Sequence, residues 1–233
     1  MQAQVTQQEP GQKGAGSSHM VVQSAQWTGS SQAGEPGPAP QPLHTLRSGE
    51  LSGDYRRFCD LESYLLDCAQ RRFADKGYLF AFDLFCIVVW SGSESAQAVA
   101  RKLRAQGFTS LDAAACVLTR DLSQHTHERE RLRCLWAKWG LGLPLASAIL
   151  SVLYPQECAR YDARVCQALG AFGGLAELRD FEPMWEGYQE FKKAIHSSTP
   201  PGLSLYDKQR YLCGKHVYEQ LKRDIEQGFR EGA

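Results

Sequence analysis

Sixteen consecutive residues constrain this chain more than any others: Leu135-Trp136-Ala137-Lys138-Trp139-Gly140-Leu141-Gly142-Leu143-Pro144-Leu145-Ala146-Ser147-Ala148-Ile149-Leu150. Two apolar, helix-forming stretches are separated by two glycines that flank one leucine. Glycine admits the positive φ and the close backbone approach that a tight turn between helices needs. Pro144 falls where an early helical position is expected, and there its missing N–H costs nothing. Ala146, Ile149, Leu150 and Leu153 then fall on one face, with Ala146 and Ala148 small enough for close helix packing. The spacing predicts an αα-hairpin over about 128–153.

The surrounding pattern is helical as well. Tyr55, Phe58, Leu61, Tyr64, Leu65 and Cys68 recur at three- and four-residue steps, and Phe80, Leu84, Ile87 and Val88 mark a second helix. Ser91-Gly92-Ser93 breaks it. Ser95–Gln106 reads as amphipathic, with Val99 and Leu103 inward and Gly107 at its end. Ser110 is placed to cap a helix over Leu111–Val117, and another is expected over Glu128–Lys138. Asp162–Leu169 closes at Gly170. Pro183 suits the first turn of a helix carrying Met184, Tyr188, Phe191 and Ile195 on one face. Leu205–Phe229 gives a last helix or helix pair. Long alternating strands are absent, so the expected class is all-α.

Residues 1–48 differ: they are rich in Gln, Gly, Ser and Pro, lack periodic apolar residues and read as a disordered tail, leaving 49–233 as one helical domain. Within that tail Gly16-Ser17-Ser18-His19-Met20 resembles a cloning scar, with Met20 as a candidate start. Apolar residues make up 43% of the chain, enough for a globular core. No run reaches the roughly 18 apolar residues of a membrane span; the strongest, Tyr78–Trp90, is interrupted by Asp83. Without a signal-peptide core the default location is the cytoplasm, on the nucleoid in a bacterium or in the nucleus of a eukaryote. Eight cysteines are scattered without a CxxC pair, a pattern of small buried thiols rather than a zinc or iron–sulfur site. His125 and His127 flank Thr126 in a polar loop without further ligands nearby. No metal and no cofactor is expected.

The formal net charge is zero, which counts against a strongly basic nucleic-acid binder while leaving room for a local patch. Arg101, Lys102, Arg104, Arg129, Arg131, Arg133 and Lys138 precede the hairpin, with Asp112, Glu128 and Glu130 among them. The hairpin needs little positive charge to hold an anion. The second helix starts with unpaired N–H groups and the positive end of its dipole, and near Gly142 no side chain blocks access. A phosphate fits such a site without sequence being read. An ordinary turn between core helices has the same residues.

A second feature follows twenty residues after Gly142: Tyr161-Asp162-Ala163-Arg164-Val165 opens a new helix. The order helix, Gly-apolar-Gly hairpin, small-residue helix, loop, Asp-x-Arg-Val resembles the helix-hairpin-helix-GPD superfamily of DNA base-excision glycosylases, in the spacing of its endonuclease III-like members. The resemblance covers roughly Phe80–Gly170. It implies a helix-hairpin-helix glycosylase-like fold, double-stranded DNA as the partner of a monomer, and backbone contacts from Gly140, Leu141, Gly142 and Ala146 to phosphate. It implies that a damaged, mismatched or modified base is flipped into a pocket between helices. Asp162 would be the catalytic carboxylate, stabilising an oxocarbenium-like sugar or activating water. An anion about 3–4 Å from a developing cation in a dry site is worth several kcal/mol. Capping the helix is a second role for the same residue.

The chain departs from that family at Pro144, where bifunctional members carry the Schiff-base lysine. The expected enzyme is therefore monofunctional, without lyase activity. Tyr161 stands where an aliphatic residue is usual. Trp90, Tyr161 and Trp139 are the candidates for the base pocket, with Trp185 and Tyr188 behind them; each would serve equally as a core residue. Two other functions stay open: a non-catalytic DNA-binding or regulatory module that retains the fold, and a helical protein-interaction domain.

Overall fold

The computed structural model describes residues 55–230; the tail expected over 1–48 lies outside the described residues. Every regular element described is helical. A 3₁₀ turn at Tyr55–Phe58 leads into α1 (Leu61–Tyr64), a π-helical turn (Leu65–Ala69) and α2 (Gln70–Lys76). Then come α3 (Ala81–Ser91), α4 (Ala96–Ala105), α5 (Leu111–Gln124) and α6 (Glu128–Arg133), the last continued by a second π-helical turn (Cys134–Lys138). The chain closes with α7 (Leu143–Leu153), α8 (Ala163–Leu169), a 3₁₀ turn (Leu175–Glu177), α9 (Phe181–Ser197) and α10 (Leu205–Arg230). None of these helices is long and apolar enough to cross a membrane.

Side-chain caps set the helix starts. Ser95 Oγ accepts from Ala98 N at 3.2 Å and Ser110 Oγ from Ala113 N at 3.4 Å, at the positions the sequence suggests. Asp60 does the same for Ser63 N at 3.1 Å, which splits the helix expected from Tyr55 onward into a 3₁₀ turn and α1. The start of α3 is capped from a distance: Asp112 Oδ1 on α5 accepts from Ala81 N at 2.9 Å. The fifth helix runs seven residues past Val117, because Leu118 and Leu122 continue its buried face.

Helix α7 is the centre of the core. Every one of its residues except Pro144 is buried. It packs against α2, α3, α6 and the first π-helical turn. Ala146, Ser147, Ala148 and Ser151 are small, so neighbouring helices approach its backbone closely. Each buried Leu, Ile or Val around it contributes about 1.5–3 kcal/mol. Asp83, on α3, is buried and fully paired: Arg72 Nη1 reaches both carboxylate oxygens, at 2.7 and 2.9 Å, and Tyr64 Oη donates at 2.8 Å. A buried carboxylate survives only with such partners.

The cysteines are less hidden than their apolar neighbours suggest. Cys158 and Cys166 are buried, Cys59 is exposed and the remaining five are half-buried; all are free thiols. Helix faces explain the difference, since a cysteine beside an apolar residue in sequence points about 100° away from it around the helix.

Candidate functional site

The turn between α6 and α7 splits the roles of its two glycines. Gly140 has φ 63°, the left-handed region, so its glycine is required by the backbone. Gly142 has φ −64° and ψ 159°, and a Cβ there would meet only Pro144 Cδ at 3.7 Å. No contact among the described residues demands glycine at 142. Leu141 seals the turn: its side chain is buried and its N–H donates to Leu135 O at 3.0 Å. Gln106 Nε2 donates to Lys138 O at 3.0 Å and ties α4 to the same turn.

The amides therefore divide differently from the sequence expectation. The Leu141 N–H is used inside the protein, and the Ala146 N–H donates to Gly142 O at 2.9 Å on a fully buried residue. Neither is available to a ligand. Gly142, Leu143 and Leu145 have amides without a backbone partner among the described residues, but Leu143 and Leu145 are buried, which leaves the half-buried Gly142 as the accessible one. Gly142 is the N-cap of α7, where the helix dipole is positive.

Asp162 caps α8, its Oδ1 accepting from Arg164 N at 2.8 Å. Its Oδ2 accepts from Arg160 Nη2 in an ion pair. Arg160 in turn lies over the Trp90 ring, 4.2 Å from its centroid. The backbone leading to the acid is bolted at three consecutive residues by three different helices. Tyr188 Oη, on α9, donates to Ala159 O at 2.6 Å and accepts from Ala159 N at 3.1 Å. Gln209, on α10, accepts from Arg160 N at 2.9 Å and donates to Arg160 O. Ser147 Oγ, on α7, accepts from Tyr161 N at 2.8 Å. Neither of the last two was visible as a site residue in the sequence; for Ser147 the one signal was a serine on a helix that is apolar but for it and Ser151.

Asp162 faces space on both sides. A cleft of about 820 Å³ is lined by Ser91–Ser93, Pro144, Arg160, Tyr161, Asp162, Arg164 and the 170–173 loop. A smaller cavity of about 170 Å³ lies beside it, bounded by Trp90, Glu62, Tyr206 and Gln209 and sharing Arg160, Asp162 and Arg164 with the cleft. The fold thus gathers the Ser-Gly-Ser break, the start of α7 and the acid, which are far apart in sequence, around one opening. Arg164 makes no hydrogen bond or ion pair with its side chain among the described residues. Tyr206 Oη donates to Glu62 in the floor of the smaller cavity.

The aromatic candidates separate. Tyr161 lines the cleft, but its hydroxyl donates to Phe172 O at 2.6 Å, and burial pushes its pKa up to about 12. Phe172, which accepts that bond, holds a positive φ of 72° at the cleft wall. Trp90 borders the smaller cavity with one face covered by Arg160. Trp139 is 2% exposed, stacks on Phe108 at 5.7 Å and borders neither space, so it belongs to the core. Trp185 and Tyr188 also lie outside both spaces, Trp185 stacked on Phe181 and Tyr188 buried.

The basic stretch before the hairpin is largely neutralised. Lys102 pairs with Glu94 at 2.7 Å, Arg129 with Glu182 at 2.6 Å, Arg131 with Glu157 at 2.8 Å and Lys138 with Asp121 at 2.5 Å. Arg131 is buried over the Tyr154 ring, 3.6 Å from its centroid, and serves packing. Among the described residues no cluster of His, Cys, Asp or Glu has the makings of a metal site. Comparisons with protein families, with curated proteins and with solved structures return no match.

Proposed function

We propose that this chain is a monofunctional DNA glycosylase, which cleaves the N-glycosidic bond of a flipped damaged, mismatched or modified base. The observation that carries the reading is the position of Asp162, which lines a cleft that also reaches Pro144 at the start of α7. The Gly142 amide, at the only one of positions 142, 143 and 145 that is not buried, suits a contact to one phosphate of a DNA backbone. Gly142 is glycine where the chain itself does not need one, which suits close approach by a ligand. Arg164 supplies an uncommitted cation at the cleft. The acid sits at the next helix start, held by a backbone that three helices fix, so it needs little reorganisation as positive charge develops on the sugar. Pro144 occupies the position of the nucleophilic lysine of bifunctional relatives, so no Schiff base forms and the strand stays intact.

The test is an abasic-site assay on duplexes carrying a panel of damaged, mismatched and modified bases. Wild type should give product that breaks only after alkali or heat, and Asp162→Asn should lower its rate by at least about 100-fold. Equal rates for the two proteins would remove Asp162 from the chemistry.

One observation favours a non-catalytic DNA-binding module instead. Arg160 already occupies the Asp162 carboxylate and one face of Trp90, the two groups that a flipped nucleotide would use. In that case duplex DNA binds with an affinity that falls as salt rises, and no substrate in the panel yields an abasic site.

A further inference from the structure

Helix α10 (Leu205–Arg230) is far longer than its packing requires. Its buried residues, Leu205, Lys208, Gln209 and Leu212, all lie in the first two turns or so. Beyond Cys213 the helix continues for about 25 Å at 1.5 Å per residue. One face of the helix from Tyr211 onward carries exposed apolar residues: Tyr211 is 46% exposed, Tyr218 69%, Leu221 56% and Ile225 60%. With Gly214 and Gly228 these residues fall at 211, 214, 218, 221, 225 and 228, the alternating three-and-four spacing of a two-helix seam. The two glycines are the telling part. A Cβ at either would meet nothing within 4 Å, so no contact among the described residues requires them, yet each weakens the helix relative to alanine. Both lie on the seam. They make sense if another helix comes close at those two points.

We infer that the extended half of α10 pairs with α10 of a second copy of this chain, antiparallel and two-fold symmetric. The seam reads large, Gly, large, large, large, Gly. Against its own reverse, Tyr211 faces Gly228 of the second copy, Gly214 faces Ile225 and Tyr218 faces Leu221. Each glycine receives a bulky side chain, and the two central rungs pair Tyr218 with Leu221. A parallel pair would set glycine on glycine at two rungs and leave a void at each, which the antiparallel register avoids. Self-complementarity under a two-fold is the mark of an isologous interface, and it singles out a second copy over an unrelated partner. The flanks do not oppose it: Lys215, Lys222 and Arg223 are balanced by Glu219, Asp224 and Glu226 on the same helix. Lys215–Glu219 and Lys222–Glu226 lie at 3.8 and 3.9 Å along it. A two-helix seam of this length buries on the order of 1,000 Å², the lower bound for a stable interface, so the dimer is a reversible one. This replaces the monomer expected from the family resemblance, and it stands whether or not the chain acts on DNA.

The experiment is sedimentation equilibrium of the full chain under reducing conditions, with far-UV circular dichroism to confirm that each variant remains helical. Wild type should show twice the chain mass at about 100 µM, and Leu221→Glu should weaken association by at least about tenfold. Gly214→Ile and Ile225→Gly should each weaken it by a similar factor, whereas the double variant, which exchanges the large and small partners, should recover to within about threefold of wild type. A wild-type chain that stays monomeric at that concentration overturns the proposal, and so does a Leu221→Glu variant that associates as before. A double variant no better than its single parents overturns the antiparallel register. Should Ile225→Gly lose helix, Tyr218→Glu takes its place: a dimer that tolerates it counts against the seam.

Discussion

Gly140 and Gly142 are two residues apart and answer to different demands. The positive φ of Gly140 is a property of the turn, and a side chain there meets the left-handed penalty directly. Gly140→Ala should cost about 1–2 kcal/mol in urea unfolding. Gly142 has ordinary extended angles and open space for a methyl group. Gly142→Ala should therefore change stability by no more than about 0.5 kcal/mol. If the turn holds a phosphate, the same substitution weakens duplex binding measured by fluorescence anisotropy; unchanged binding would separate this turn from DNA. The sequence shows two identical letters and predicts one role for both. Only backbone dihedrals distinguish them, and those are set by where α6 ends and α7 begins. The same holds for Leu141 and Ala146, whose amides are spent inside the fold.

At the scale of elements, the acid-bearing loop is organised by helices that contribute one side chain each. Ser147, Tyr188 and Gln209 satisfy the backbone of Tyr161, Ala159 and Arg160 respectively, at buried or part-buried positions. An amide left without its partner there costs roughly 1–3 kcal/mol. Gln209→Leu should speed amide hydrogen exchange at Arg160 well beyond any change in α7, and Ser147→Ala should do the same at Tyr161. Exchange that rises equally throughout the protein would show that these bonds stabilise the fold as a whole and do not hold the loop in particular. Helix existence was readable from three- and four-residue periodicity, and starts were readable at Ser95 and Ser110, where a hydroxyl caps its own helix. Starts capped from elsewhere were not. Asp112, which caps α3 from α5, and Gln209, which clamps Arg160 from α10, are contacts between residues tens of positions apart.

For the whole molecule, burial of thiols and phenols sets an alkaline limit. Burial pushes the Cys86 thiol up from its usual 9.0 to about 11 and Tyr161 up from 10.0 to about 12, and it raises Cys158 and Tyr188 as well. In each case the folded protein holds its proton more tightly than the unfolded chain. Stability is complete below the unfolded values and declines as pH rises from about 9 through 11, because unfolding then releases protons. Thermal unfolding under reductant should show a Tm steady between pH 7 and 8.5 and falling above about 9; a flat profile to pH 11 would mean that these groups are exposed in solution. By itself the sequence determined that the described chain is all-helical, where its central hairpin lies and which residue caps the helix that follows, because periodicity, glycine and capping chemistry act over a few residues. The tertiary structure alone decided that Asp162 borders a cleft, that Arg160 and Trp90 meet beside it, that Trp139 belongs to the core and that the basic stretch is paired. Those outcomes depend on which helices pack together, and packing is a property of the summed surfaces of the whole chain.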